Sequence, residues 1–196
     1  MDKIPIILLA AGGSKRMRQP KQLLPWRNST LIEFQIQKLL QTGNPIIVVL
    51  GASSKEIIPL IKKYPVKITI NSNWETGMGS SVATGMQKVV AEIPSAKGVL
   101  FTLIDQPLVS LEHIQKLLLT FNSENQQIIA SKAENGWLGV PALYDVFYFD
   151  ELQNLSGEQG AKILIKKYRS KVIPVDAGET LEDMDTPESY RRMLKK

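Results

Sequence analysis

The chain has 196 residues, of which 43% are hydrophobic and 22% are charged, and its formal net charge is +5. These values are typical of one globular domain, and no apolar stretch is long enough to span a bilayer. The absence of cysteine and the single histidine, His113, exclude a disulfide framework, a thiolate nucleophile and a histidine-cluster zinc site. The N-terminal apolar run predicts a buried strand and not a signal peptide, so we expect a cytoplasmic protein that does not bind a membrane. Because the basic residues are spread along most of the chain, we expect no binding to nucleic acid.

Apolar segments with strand character alternate with helical patterns along the chain. Strands are predicted at 4–10, 45–50, 66–70, 98–104, 127–131 and 171–175. Helices are predicted at 30–41, from Ser53, at 80–91, at 110–121 and from Thr186. This alternation predicts one α/β domain over residues 1–196, with three layers and a mostly parallel central sheet.

The first predicted strand ends in a loop that combines glycines with cations. Gly12 and Gly13 are followed by basic residues, which are Lys15, Arg16, Arg18 and Lys21. Glycines let backbone N–H groups approach a phosphate, and the cations neutralise its charge. The spacing is neither that of a P-loop nor that of a dinucleotide fingerprint. The loop therefore predicts a third type of polyphosphate site, although a tight turn followed by a solvated basic loop explains the same residues.

Carboxylates occur at two further positions where ligands bind in α/β proteins. Asp105 directly follows a predicted strand, and a carboxylate there can hold Mg²⁺ against phosphate oxygens. Asp105 can equally cap the turn that Pro107 makes. Asp183 and Asp185 precede the last helix, where they can supply a second metal ligand or satisfy the helix N-terminus.

Residues 71–85 form a glycine- and serine-rich patch at the start of the third predicted helix. Serine hydroxyls and free backbone groups there can read a base or hold a phosphate, or can simply cap the helix. Trp74 lies within this patch and can stack on a heterocycle or pack in the core. His113 is expected to be an exposed or partly packed helix residue. Residues 133–162 interrupt the alternation, and such an insertion can supply the site of a second substrate.

The motif Leu9–Met17, together with Lys21–Pro25, resembles the opening motif of the MobA-like nucleotidyltransferases. Within that family the chain looks most like the molybdenum cofactor cytidylyltransferase branch. Five further motifs carry this likeness, at 71–85, 105–107, 139–141, 156–162 and 183–187. The resemblance implies a Rossmann-like nucleotidyltransferase fold that uses Mg²⁺ and CTP, or GTP, and transfers the nucleotide to the terminal phosphate of molybdopterin with release of pyrophosphate.

The same resemblance implies roles for individual residues. Arg16 and Lys21 would hold the triphosphate, and Asp105 would complete the catalytic set. Nucleotide contacts would come from Leu9, Ala10, Ala11, Gly12, Gly13, Ser14, Asn71, Gly79, Ser80 and Ser81. The metal would be bound by Asp105, with Asp185 as the preferred second ligand and Asp183 as the alternative.

The chain departs from the family pattern mainly where the acceptor is expected. Val140 stands where the cytidylyltransferase branch often has histidine, and Glu158 and Lys162 replace a common aspartate and arginine. Arg18 replaces a common glycine, which adds charge to the phosphate loop. The acceptor could therefore be a sugar or polyol phosphate instead of molybdopterin. A non-catalytic alternative is an accessory protein that binds the cofactor and contacts a molybdenum hydroxylase.

Overall fold

The computed structural model describes residues 4–123 and 125–196 of the chain. Its strands are β1 (Ile6–Ala10), β2 (Pro25–Trp26), β3 (Ser29–Thr30), β4 (Ile46–Leu50), β5 (Lys67–Ile70), β6 (Gly98–Leu103), β7 (Ile128–Ala133), β8 (Leu138–Asp145) and β9 (Val172–Gly178). Its α-helices are α1 (Leu31–Leu40), α2 (Ser54–Ile61), α3 (Met78–Glu92), α4 (Leu111–Thr120), α5 (Phe149–Gln153), α6 (Lys162–Lys167) and α7 (Pro187–Met193).

A seven-stranded sheet forms the middle layer, in the order β5-β4-β1-β6-β8-β7-β9. Strands β5, β4, β1 and β6 run parallel to one another, and β9 runs parallel to β7. Only β8 is antiparallel to its neighbours in this described sheet. Strands β2 and β3 pair separately as a short antiparallel hairpin. The predicted α/β fold with a mostly parallel central sheet is therefore confirmed.

Strand β1 shows how the two helical layers are attached to the sheet. All of its residues are buried, and successive side chains on a strand point to opposite faces. Ile6 and Leu8 pack with apolar residues of α1, α2 and α4 on one face. Ile7 and Leu9 pack with residues of α3, α5 and α6 on the other. Both faces of the sheet are covered, as a parallel sheet requires.

The structure differs from the sequence-based prediction in the stretch 133–162. The prediction contained no strand there, but β8 lies inside the sheet between β6 and β7. Gly139 and Pro141 fall within β8, and its register with β7 shifts near Ser131. These features hide the alternation that normally marks a strand. The stretch thus completes the sheet before it continues into α5 and the loop 154–161, and its role in acceptor binding stays a prediction.

Within residues 4–123 and 125–196, no helix is both long enough and apolar enough to cross a membrane.

A capping box formed by Thr30 and Glu33 holds the start of α1. Glu33 accepts hydrogen bonds from the Thr30 backbone N–H at 3.3 Å and from Thr30 Oγ1 at 2.8 Å. Lys63 pairs with the same carboxylate at 2.7 Å. The Lys63 hydrogen bond, together with those from Thr30, outweighs burial and lowers the pKa of Glu33 to about 2.

The substitution Glu33→Gln is expected to lower the free energy of unfolding by about 1 kcal/mol at neutral pH, the usual cost of losing a cap. Because the folded-state pKa lies below the ordinary value of 4.5, the carboxylate contributes fully above that pH and loses its contribution as the pH falls towards about 2. Denaturant unfolding of both proteins at about pH 7 and about pH 3 measures the difference. Glu112→Gln, in the exposed first turn of α4, is the matched control. A deficit of equal size at both pH values would contradict this origin.

Candidate active site

A cavity of about 430 Å³ opens at the carboxyl ends of the central strands. Strands β1 and β6 are neighbours, with Leu9 opposite Leu103, so the loops that follow them start side by side. One loop carries Arg16 and Lys21, and the other carries Asp105. The backbone N–H of Met184 donates to the Asp105 carbonyl at 2.7 Å, which brings Asp185 to the same edge.

Four charged side chains form an ion cluster at this cavity. Lys21 Nζ lies 3.0 Å from Asp105 Oδ2 and 3.0 Å from Asp185 Oδ1. Arg16 Nη2 lies 2.6 Å from Asp185 Oδ2. Lys21 is buried, whereas Arg16 is exposed. One buried lysine therefore bridges two carboxylates, and an exposed arginine shares one of them. The Lys15 side chain lies outside the described part of the chain.

Within the ion cluster, Lys21 and Asp185 stabilise each other's charged forms. Burial alone would lower the pKa of Lys21, but Asp105 and then Asp185 raise it overall. Burial would raise the pKa of Asp185, but Lys21 and then Arg16 lower it overall. Asp183 differs, because burial and the neighbouring Asp105 charge raise its pKa despite a hydrogen bond from Gln106. The carboxylate that pairs with Lys21 and Arg16 is therefore that of Asp185, not that of Asp183.

The donor set fits a hard divalent cation. Asp105 Oδ1 is buried and has no hydrogen-bond partner among the described residues, and a buried charged oxygen without a partner is costly. No group of three or more His, Asp or Glu side chains is arranged for a metal within the described ranges. Mg²⁺ commonly binds through one or two carboxylates and completes its shell with water and substrate phosphates. Asp105 and Asp185 can supply that pair.

A buried glutamine fixes the backbone of the glycine loop by hydrogen bonds to two of its carbonyls. Gln22 is 1% exposed, and its Nε2 donates to the carbonyls of Ala10 at 2.7 Å and Gly12 at 3.1 Å. The Ser14 hydroxyl accepts from the Lys21 backbone N–H at 3.1 Å. A Cβ on Gly13 would come within 2.9 Å of the Trp74 ring, so glycine is required for this packing. The loop is therefore fixed by contacts on its protein side, and its other side lines the cavity, where a ligand can bind.

A second polar group lies on the α3 side of the cavity. Asn71 is buried, and its Nδ2 donates to Ser80 Oγ at 2.8 Å and to Ser81 Oγ at 3.0 Å. Ser81 lines the cavity. Gly79 meets the loop 154–161, where an added Cβ would lie 2.6 Å from the Ser156 carbonyl carbon. Asn71 thus orients the hydroxyls, and Gly79 allows close approach of that loop.

The structure brings most of the predicted site residues to one cavity. The predicted residues that line it are Leu9, Ala11, Gly12, Ser14, Arg16, Lys21, Ser81, Asp105 and Asp185. Within the described residues, the predicted ones outside its lining are Ala10, Gly13, Asn71, Gly79, Ser80 and Asp183. These six support lining residues or packing: Asp183, for example, accepts a hydrogen bond from Gln106 Nε2 at 3.0 Å.

The three tryptophans and His113 lie in different parts of the structure, and of these four only Trp74 lines the cavity. Trp74 lines the cavity, Trp26 is 1% exposed in the core and Trp137 is 47% exposed on the β7–β8 hairpin. His113 is buried, with Nε2 at 2.8 Å from Ser131 Oγ, and burial lowers its pKa. The expectation of an exposed or partly packed histidine is therefore corrected, because α4 turns this side chain towards β7.

Sequence reasoning gave no role to Gln22, Gln106 or the side chains of α1 that face the Asp105 loop. Gln22 and Gln106 each directly follow a predicted site residue, Lys21 and Asp105. An amide next to a charged ligand is a signal for a supporting hydrogen bond, but its partner is visible only in the folded chain.

Residues 6–172 match the model of the MobA-like NTP transferase domain. The chain is a member of this family. Its sheet order and cavity place the family's opening motif, residues 9–25, against Asp105.

Three relatives extend over almost the whole MobA-like chain. The nicotine blue oxidoreductase of Paenarthrobacter nicotinovorans is 32% identical over 96% of this chain and 95% of its own length. The purine catabolism protein PucB of Bacillus subtilis (strain 168) is 28% identical over 94% and 92%. The molybdenum cofactor cytidylyltransferase of Escherichia coli (strain K12) is 26% identical over 97% and 95%. Their names differ, so the likeness establishes the family but leaves the substrate open.

Solved structures share the MobA-like fold of this chain. The crystal structure of Rv0371c from Mycobacterium tuberculosis H37Rv has a TM-score of 0.88 and 26% identity, and the match covers 100% of this chain and 98% of that one. A complex of Rv0371c with manganese has a TM-score of 0.80 and 25% identity, with 98% of each chain covered.

Proposed function

We propose that this nucleotidyltransferase moves CMP from CTP to the terminal phosphate of molybdopterin and releases pyrophosphate, in a reaction that depends on a divalent cation such as Mg²⁺. The observation that carries the proposal is the ion cluster of Arg16, Lys21, Asp105 and Asp185 at the mouth of a small-molecule cavity. Its volume of about 430 Å³ lies in the usual range for ligand pockets.

The cations of the cluster suit a triphosphate. Arg16 and Lys21 reach the cavity from the glycine loop, whose backbone approaches the same space. A phosphate can replace the carboxylates as their partner, since charge-assisted hydrogen bonds to phosphate have the same geometry. Arg16 is exposed and can follow the ligand, whereas buried Lys21 supplies a fixed positive charge.

The carboxylates suit the metal, and the manganese complex of Rv0371c supports a divalent site in the family. Asp105 would hold the ion through its unpartnered Oδ1, with Asp185 as the second ligand. The bound ion would neutralise charge on the phosphates as the α–β bond breaks.

The remaining chemistry needs positioning rather than a protein nucleophile. An oxygen of the acceptor phosphate forms a bond to the α-phosphorus, and the bond from that phosphorus to the β-phosphate oxygen breaks. The acceptor phosphate is already anionic, so no side chain has to remove a proton. Lys21 and Arg16 hold the phosphates in place and stabilise the charge on the departing pyrophosphate.

A second candidate function comes from the names of two relatives. Neither an oxidoreductase nor a purine catabolism protein is named for nucleotidyl transfer. A non-catalytic protein that binds the cofactor and delivers it to a molybdenum hydroxylase would explain such names. The ion cluster favours the enzyme, because binding alone does not require a paired carboxylate site beside the triphosphate cations.

Pyrophosphate release tests the proposal. The purified chain is assayed with CTP or GTP and Mg²⁺, with and without molybdopterin, and with a sugar phosphate as the alternative acceptor. We expect release only with CTP and molybdopterin together. Turnover of the sugar phosphate would replace the acceptor, turnover with GTP would replace the base, and the absence of turnover together with tight cofactor binding would favour the accessory role.

Asn71→Ala is expected to raise KM for CTP about tenfold and to leave kcat nearly unchanged, because one neutral hydrogen-bonding group contributes about 0.5–1.5 kcal/mol. The variant frees the Ser80 and Ser81 hydroxyls from their shared donor, and Ser81 lines the cavity. Steady-state kinetics with varied CTP measure the split. Asn73→Ala, in the same loop but exposed, is the control. A fall in kcat at constant KM would argue against a role in nucleotide binding.

A further inference from the structure

Two side chains of α1 donate hydrogen bonds to the backbone of the loop that carries Asp105. Gln35 Nε2 donates to the carbonyls of Leu103 at 3.4 Å and Gln106 at 3.3 Å. Lys38 Nζ donates to the carbonyls of Val109 at 2.6 Å and Pro107 at 3.4 Å. Gln35 and Lys38 are three residues apart and therefore share one face of the helix. Four carbonyls on both sides of Asp105 are thus bound by α1.

The hydrogen bonds within the loop itself hold its backbone only weakly. Its internal hydrogen bonds are long, at 3.5 Å from Gln106 N to the Leu103 carbonyl and 3.4 Å from Val109 N to the Gln106 carbonyl. The distances from Gln35 Nε2 and Lys38 Nζ to the four carbonyls, 2.6–3.4 Å, are those of hydrogen bonds without a bridging water. The α1 side chains therefore make these contacts directly.

Among the described residues, the side-chain hydrogen bonds of Lys38 all go to this loop. No carboxylate within residues 4–123 and 125–196 forms an ion pair with it. Its ammonium lies 5.3 Å from the Phe34 ring centre, and burial lowers its pKa to about 7. Burying an amino group without a counter-charge is unfavourable. The unfavourable burial of this amino group therefore indicates that its hydrogen bonds to the loop carbonyls serve a function.

The loop is also hydrogen-bonded to the segment 183–185, which carries the second carboxylate. Gln106 Nε2 donates to Asp183 Oδ1 at 3.0 Å, and Asp105 accepts from the Met184 backbone N–H at 2.7 Å. A shift of the loop backbone would therefore move Asp105 and the segment that carries Asp185 together.

We propose that Lys38, assisted by Gln35, is a positioning residue that sets the Asp105 loop in the geometry for divalent-metal binding. The inference rests on the proposed function only in taking Asp105 as the metal ligand. Residues that orient metal ligands from behind typically change metal affinity or activity about 10- to 100-fold when they are replaced.

The test compares Lys38→Met, which keeps most of the apolar side chain but removes the donors, with Lys38→Arg, which keeps donors and the positive charge. Gln37→Met, on the exposed face of α1, is the matched control. For Lys38→Met we expect Mn²⁺ affinity, measured by calorimetry without nucleotide, to fall about tenfold, and amide hydrogen exchange at residues 105–111 to accelerate. Lys38→Arg is expected to recover most of both, and kcat is expected to follow Mn²⁺ affinity while KM for CTP stays constant.

Wild-type Mn²⁺ affinity and unchanged exchange in folded Lys38→Met would overturn the proposal. So would equal losses in the Met and Arg variants, because these would mean that packing, not hydrogen bonding to the loop, is responsible. If the wild-type chain binds Mn²⁺ but does not transfer CMP, the proposed function fails, while the exchange and metal-binding results still decide the role of Lys38.

Discussion

Asp105→Asn is expected to reduce nucleotidyl transfer by about 10³-fold or more, because a catalytic metal contributes several kcal/mol and each 1.36 kcal/mol is a factor of ten in rate. The amide preserves the size of the side chain but removes the charge that would hold the cation. Divalent-metal affinity is expected to fall with the rate. Single-turnover transfer and Mn²⁺ calorimetry measure the two effects on one preparation.

Stability is expected to change little in Asp105→Asn, because Lys21 keeps its contact with Asp185. Asp176→Asn is the matched control, since Asp176 is exposed and pairs with Lys132 away from the cavity. Normal transfer by a folded Asp105→Asn protein would exclude Asp105 as an essential metal ligand and would move the interpretation towards the accessory role.

Lys21→Met is expected to weaken CTP binding about 100-fold, within the cost of about 2–5 kcal/mol for removing one partner of a buried charge pair. It is also expected to strengthen the binding of Mn²⁺ in the absence of nucleotide. The reason is the bridge itself: Lys21 contacts Asp105 and Asp185, the two carboxylates that would hold the cation, and its positive charge beside them repels a second cation. Calorimetric titrations with CTP and with Mn²⁺ separately give both constants.

The opposite signs of these two effects distinguish the bridge from general damage to the fold. A misfolded variant loses both affinities, whereas removal of a competing cation raises one of them. Mn²⁺ is then expected to raise the melting temperature of Lys21→Met more than that of the wild type, since a ligand stabilises the folded state according to its affinity. Lys55→Met, on the exposed face of α2, controls for the loss of one positive charge. Unchanged CTP affinity in Lys21→Met would remove Lys21 from the triphosphate site.

Strand β1, helix α1 and the phosphate loop could be predicted because their signals are local. A buried apolar run, a capping box and a cluster of cations are each visible within a dozen residues. Strand β8 was missed because Gly139 and Pro141 interrupt its pattern, and its place between β6 and β7 depends on pairing with distant strands. The helix that carries His113 was predicted correctly, but the burial of its side chain depends on the neighbouring β7.

The candidate site divides in the same way. The residue types were evident from the sequence: cations after two glycines, an aspartate after a strand, and no cysteine that could serve as a nucleophile. The ion pair between Lys21 and Asp185 was not evident, because these residues are 164 positions apart. The hydrogen bonds from Lys38 to the Asp105 loop were also not evident from the sequence, because Lys38 lies 71 positions from Val109.

The amino-acid sequence by itself therefore determined the fold class, the family and the chemical groups available for phosphate and metal binding. The fold class and the chemical groups follow from the spacing of side chains along short segments, which sets periodicity and local charge. The family follows from the resemblance of the motifs to those of known relatives. Only the tertiary structure decided that one buried lysine joins Asp105 to Asp185 and that α1 holds the loop between β6 and α4. Such contacts depend on strand order and on which loops meet at the carboxyl edge of the sheet, and spacing along the chain does not specify either.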